Sequence, residues 1–283
     1  MRTNSFISLY NKSGIACASD TDNTIYQLSK EEPVAVAVCP FSPIPWESII
    51  TAYLRKGEPT HHLTLEEYAQ DFEQFLQAYP ADKAWNRLSI DERNLIFLGY
   101  GTNDIYPSVC DILMAVDEDT EKMTFNDINN TVISIDNQAA FNWNGDFERV
   151  SPILHGTTQA VRNFMIERVG ESIELYKKRV QDKFNGTKYE EFVKKSLDNY
   201  DFEDAQHSLI YDATGHIQHR VGIGLDSFSI EDLVLSCENM VNANIRLNHL
   251  ANGGKGLIGN TREIAVLTRA EGFTWIKHSL FAI

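Results

Sequence analysis

Hydrophobic and polar positions in the first forty residues predict a run of short strands. Ser5 to Tyr10 reads as a strand, and Asn11 to Gly14 as a tight turn. Ile15 to Ser19 is almost entirely small and apolar, the pattern of a strand buried on both faces. Asn23 to Leu28 alternates, Lys30 to Pro33 breaks the alternation, and Val34 to Cys39 predicts another central strand. So many small side chains on adjacent strands require a close-packed neighbour on this sheet.

The period then changes to that of helices. Pro45 suits a first turn, and Trp46, Ile49, Ile50, Tyr53 and Leu54 fall on one face of a helix over 43–54. Thr64 and Glu67 match a capping box, Tyr68, Phe72, Phe75, Leu76 and Tyr79 mark the buried side of the following helix, and Pro80 stops it. Strands are predicted over 94–100, 107–116 and 132–135, with a solvated acidic loop at 117–121. Helical stretches follow over 157–169, 172–184 and 189–210, then a strand or turn at 220–225. Ser229 and Asp232 cap a last helix whose stripe is Leu233, Val234, Cys237, Val241 and Ile245. A glycine-rich loop at 252–260 leads to closing strands over 263–268 and 273–276. Helices come in groups rather than singly between strands. That order disfavours a doubly wound sheet or a βα barrel and favours sheets with helical layers outside. With no internal repeat and no linker, one domain over 1–283 is expected.

Composition narrows the partners. The 283 residues carry 40 Asp and Glu against 25 Lys and Arg, a formal charge of −15, which argues against nucleic acid, since binding its backbone requires cationic neutralisation. Apolar residues are 43%, an ordinary globular share, yet no apolar run is long enough for a membrane helix and no signal peptide is evident; a cytoplasmic protein is expected. Cys17, Cys39, Cys110 and Cys237 are far apart, without a Cys-x-x-Cys pair, and read as reduced, buried and inert.

Familiar chemical motifs are missing. Gly253 to Gly256 places Lys255 among glycines, but the order of a P-loop fails and a tight turn is the better reading. The pairs His61–His62 and His216–His219 lack the third and fourth ligands of a zinc site, and aspartate spacing does not fit a calcium loop, so no metal or cofactor is expected. Asp20, at the end of the small-residue strand, is either a turn former or a buried carboxylate that orients a polar group.

Ser13 to Asp20 resembles the strand ending in aspartate near the start of proteasome-type N-terminal-nucleophile hydrolases. Thr24 to Leu28 matches their next strand, and Val34 to Cys39 the strand before their first helix. Ile44 to Ile50, Thr64 to Ala69, Ile258 to Leu267 and Gly272 to Ile276 resemble, in order, motifs of a bacterial proteasome-β-subunit-like branch. The resemblance implies a four-layer αββα sandwich of two antiparallel sheets, assembly into a homo-oligomer or ring, and an extended peptide or small amide as ligand.

It also implies a chemistry in which a terminal hydroxyl residue attacks an amide carbonyl, its own α-amine carries the proton, and a lysine held by an aspartate tunes the pair. Asp20 matches that aspartate. The nucleophile position falls at Asn4, with Thr3 and Ser5 on either side, and Thr3 becomes the nucleophile if the strand begins one residue early and Met1 and Arg2 are removed. The lysine position falls near Thr24, and Lys30 lies beyond it in the turn. Thr21 and Thr24 are expected to line the cleft. Three functions are consistent with these residues: an assembling or peptide-binding protein without the standard catalytic set, a threonine peptidase or amidase activated by exposing Thr3, and a hydrolase with a rearranged Ser5, Lys30 and Asp20 site.

Overall fold

The computed structural model describes residues 5–56, 64–79, 81–135, 137–145, 150, 152, 159–198, 221, 224–251, 253 and 259–278. It contains β1 (Ser5–Asn11), β2 (Gly14–Ser19), β3 (Ile25–Gln27), β4 (Val34–Val38), α1 (Trp46–Arg55) and α2 (Leu65–Leu76). A short 3-10 turn at Lys83–Arg87 leads to α3 (Ile90–Arg93), β5 (Asn94–Gly99), β6 (Ser108–Val116), β7 (Met123–Val132) and β8 (Ala139–Gly145). Then come α4 (Gln159–Phe184), α5 (Glu190–Asp198), α6 (Ile230–Ala251), β9 (Glu263–Thr268) and β10 (Gly272–Lys277). The chain divides into two compact units, 1–147 with 222–283, and 148–221.

The larger unit is a mixed α and β structure built on two five-stranded antiparallel sheets, in the orders β10-β9-β2-β1-β8 and β3-β4-β5-β6-β7. Strand alternation gives each sheet an inner and an outer face. Phe6, Tyr10, Ile15, Cys17, Ala265 and Leu267 of the first sheet pack in one cluster with Ala35, Ala37, Ile96, Leu98 and Val109 of the second. The outer face of the second sheet carries Val36, Phe97, Cys110 and Ile112 beneath Trp46, Ile49, Tyr53, Tyr68 and Phe72 of α1 and α2. Phe72 is the pivot of that layer, edge-on to Tyr53 at 4.9 Å and to Phe97 at 5.7 Å. The capping box of Thr64 and Glu67 is present at the start of α2.

On the other side, α6 lies on β2 and β1 and buries Leu233, Cys237 and Val241. This helix is the neighbour that the small side chains of β2 require. The Cys237 thiol donates to the Ala16 carbonyl at 3.2 Å, an approach that a larger residue at 16 would block. Gly14 opens the strand at φ +150°, and a Cβ there would stand 2.7 Å from the Leu267 carbonyl oxygen, so the β1–β2 turn admits only glycine without displacement.

Three elements depart from the sequence expectation. Of the strand expected at 132–135 only Val132 belongs to a strand, as the last residue of β7, whose earlier part reads poorly as a strand because it is rich in Asn. β8 likewise lacks clean alternation. Pairing with β6 and β1 supplies the ladders that local propensity does not. In the smaller unit, α4 runs unbroken through Gly170 and Glu171, where two helices were expected. It packs against α5 after a turn in which Gly186 takes φ +73°.

Candidate functional site

Asp20 follows directly on β2, and strand pairing brings it opposite Ser5, the first residue of β1. The Ser5 amide donates to Asp20 Oδ1 at 2.7 Å, and the Asp20 amide donates back to the Ser5 carbonyl at 3.1 Å. The aspartate therefore closes the open end of the hairpin. Ser5 is fully buried, and Asn244 Nδ2 of α6 donates to its hydroxyl oxygen at 2.8 Å. Since Phe6 faces the space between the sheets, Ser5 faces the α6 layer. Thr3, like Asn4, lies outside the described residues.

A second group of oxygens gathers beside Asp20. Ser19 Oγ donates to Thr24 Oγ1 at 2.9 Å and stands 3.1 Å from Thr21 Oγ1, while the two threonine hydroxyls are 2.8 Å apart. Thr21 and Thr24 thus lie side by side, with Thr24 buried and Thr21 half-buried. Lys30 does not join them. It is exposed in the turn after β3, and that strand separates it from Thr24 by more than about 10 Å along the chain direction.

The charged group that does reach Thr24 is Glu263, the first residue of β9. Its Oε1 accepts from the Asn23 amide at 2.8 Å, and its Oε2 accepts from the amides of Thr24 at 3.1 Å and Ile25 at 3.0 Å. Asn23 takes φ +59°, a left-handed conformation that asparagine tolerates, and this aims three successive amides at one carboxylate. Glu263 is fully buried, and burial raises its pKa above the ordinary value; the amides of Ile25, Asn23 and Thr24, and then His278, pull in the opposite direction. His278 Nδ1 lies 3.4 Å from Glu263 Oε1, outside hydrogen-bond geometry, with its ring stacked on Trp275 at 4.3 Å.

Chemically, this corner fastens the loop between β2 and β3 to β9. Both Glu263 oxygens are taken up by backbone amides, and the three hydroxyls are engaged with one another. Among the described residues, no group of three or more His, Cys, Asp or Glu is placed to hold a metal ion. The four cysteines are buried thiols outside any disulfide; burial pushes the Cys17 and Cys110 thiols up to about 12. No described helix is long and apolar enough to cross a membrane. The histidine pairs at 61–62 and 216–219, and Lys255, fall outside the described residues.

Sequence reasoning missed Glu263, Asn244 and His278. A signal existed for two of them. Glu263 is a lone charge heading an otherwise apolar strand, and Asn244 interrupts the buried stripe between Val241 and Ile245. Nothing local marks His278. No protein-family model matches the chain, and no curated protein matches it either.

Proposed function

We propose that this chain is a proteasome-subunit-like protein of the N-terminal-nucleophile fold that lacks the standard catalytic set and acts as an assembling or peptide-binding protein in a homo-oligomer. The two antiparallel sheets with helices on their outer faces support the fold part of this reading. The observation that carries the functional part is the corner at Asp20. Thr24 stands where the resemblance calls for a lysine, and its amide is held by Glu263. A buried carboxylate is the opposite of the cation that would lower the pKa of a nucleophile. Ser5 is turned into the α6 layer, away from any substrate approaching between the sheets. Among the described residues β3 is an edge strand of its sheet, the place where an extended peptide would add.

The test combines intact mass, an electrophilic threonine-directed probe and native mass spectrometry on the purified protein. The proposal expects an oligomer, an unchanged mass and no probe adduct. Loss of Met1 and Arg2 with an adduct on Thr3 would establish the peptidase or amidase reading instead. An adduct on Ser5 that depends on Lys30 would establish the rearranged hydrolase. A strict monomer would remove the assembling role.

A further inference from the structure

Charge is spread unevenly along the chain. The larger unit, residues 1–147 and 222–283, carries 14 Lys and Arg against 28 Asp and Glu, a formal charge of −14. Residues 177–195 of the smaller unit carry seven Lys and Arg against three Asp and Glu, or +4. This basic stretch is a helical hairpin made of the last turns of α4, the turn at Gly186 and most of α5. The turn is well defined. The Phe184 carbonyl accepts from the Thr187 hydroxyl at 2.6 Å, and the Gly186 amide donates to Glu190 Oε2 at 2.7 Å, which also engages one of the three carboxylates.

The same hairpin exposes apolar surface. Among the described residues of 164–197 none is buried. On α4 the half-buried positions Ile166, Val169, Ile173, Val180 and Phe184 fall on one stripe. Tyr176 lies off that stripe and is exposed, with the exposed cations Arg179 and Lys183 following at i+3 and i+7 on the same face. On α5 Phe192 is 72% exposed, one turn before the exposed Lys195. Tyr189 is exposed as well, and the Lys188 ammonium stands 5.0 Å from the centre of its ring. Aromatic side chains and arginine are what the centres of protein interfaces concentrate.

The sign of the charge selects the partner. A nucleic acid or an anionic membrane would suit the hairpin but would be repelled by the −14 of the larger unit. Two hairpins would repel each other, and so would two larger units. The remaining pairing sets the +4 of a hairpin against the acidic larger unit of another molecule, so that opposite charges meet and the aromatic side chains are covered. From this we infer that the hairpin at 177–195 is a docking surface for a second copy of this chain, received on that copy's larger unit. This docking mode rests on the homo-oligomer proposed above and specifies which surfaces meet. It uses no residue of the Asp20 corner.

Sedimentation velocity of the whole chain in about 0.05 M and about 0.5 M NaCl tests the docking mode, because the higher salt screens charge over a few ångströms. Two variants accompany it: the charge reversal Arg179→Glu with Lys183→Glu, and Phe192→Ser. All three positions are exposed, so the fold is expected to tolerate the changes, with circular dichroism as the check. The expected result is an oligomer at low salt whose dissociation constant rises on the order of tenfold or more at high salt and in each variant. The unaltered protein provides a second reading. Carbodiimide coupling of a mixture of unlabelled and isotope-labelled chains is expected to join Lys183 or Lys188 of one isotope to carboxylates of 1–147 or 222–283 of the other. An oligomer whose affinity survives both variants, or mixed-isotope links that avoid the hairpin, would overturn the docking mode and leave the homo-oligomer standing. A strict monomer at both salts would overturn both. Hairpin-dependent binding to phosphatidylserine vesicles, with self-association unchanged in the variants, would assign the surface to a membrane instead.

Discussion

Replacing Ser5 by alanine separates a structural serine from a catalytic one. The hydroxyl and Asn244 are both fully buried, and their hydrogen bond spans 2.8 Å between β1 and α6. Ser5→Ala removes the acceptor and leaves the Asn244 donor facing a methyl group, so the cost is that of an orphaned buried group, about 1–3 kcal/mol. The lost volume is a single oxygen, and the cavity contribution is correspondingly small. For a chain of this size the unfolding midpoint falls by about 2–4 °C per kcal/mol, or roughly 2–12 °C in all. Asn244→Ala strands the partner from the other side. A double-mutant cycle between the two is expected to return a coupling of about 0.5–1.5 kcal/mol, the net worth of a neutral hydrogen bond. Urea unfolding of the four proteins, with m-values compared, supplies the measurement. A Ser5→Ala variant within 0.5 kcal/mol of the parent, together with zero coupling, would refute the placement of this hydroxyl in the α6 layer.

Other outcomes follow from the same geometry. The folded-state pKa of Glu263 lies above the ordinary glutamate value of 4.5, because burial disfavours its charged form. Its linkage contribution to stability is therefore full below 4.5 and is lost as pH rises through the raised value; a pH series of urea melts should show this slope in the parent and its loss in Glu263→Gln. Phe72→Ala empties the centre of the helix layer, where the ring is fully buried against Tyr53 and Phe97, and is expected to cost about 3–5 kcal/mol in the same assay. The four buried cysteines should resist a thiol reagent in the folded protein at pH 8 and react fully in denaturant; rapid labelling of Cys17 in the native state would contradict its burial.

Most of the skeleton is legible in local sequence patterns. The small-residue strand Gly14–Ser19, the capping box at Thr64 and Glu67, and the helical stripe through Leu233, Cys237 and Val241 are legible because each depends on residues only a few positions apart. The same holds for the grouping of helices against strands, from which layered sheets follow. β7 and β8 escaped because their stability comes from pairing with β6 and β1 rather than from their own alternation.

What occupies the corner beside Asp20 is set by the packing of elements distant in sequence. Asp20, Thr21 and Thr24 are visible in sequence as neighbours in a loop, but Glu263 arrives from 239 residues beyond Thr24 and Asn244 from 239 beyond Ser5. Lys30, close in sequence, is carried away because an extended strand lengthens by about 3.3 Å for every residue. Local patterns record which face of a strand or helix is apolar. They do not record which distant carboxylate will meet three backbone amides, because that meeting is set by sheet order, register and the packing of one layer on another.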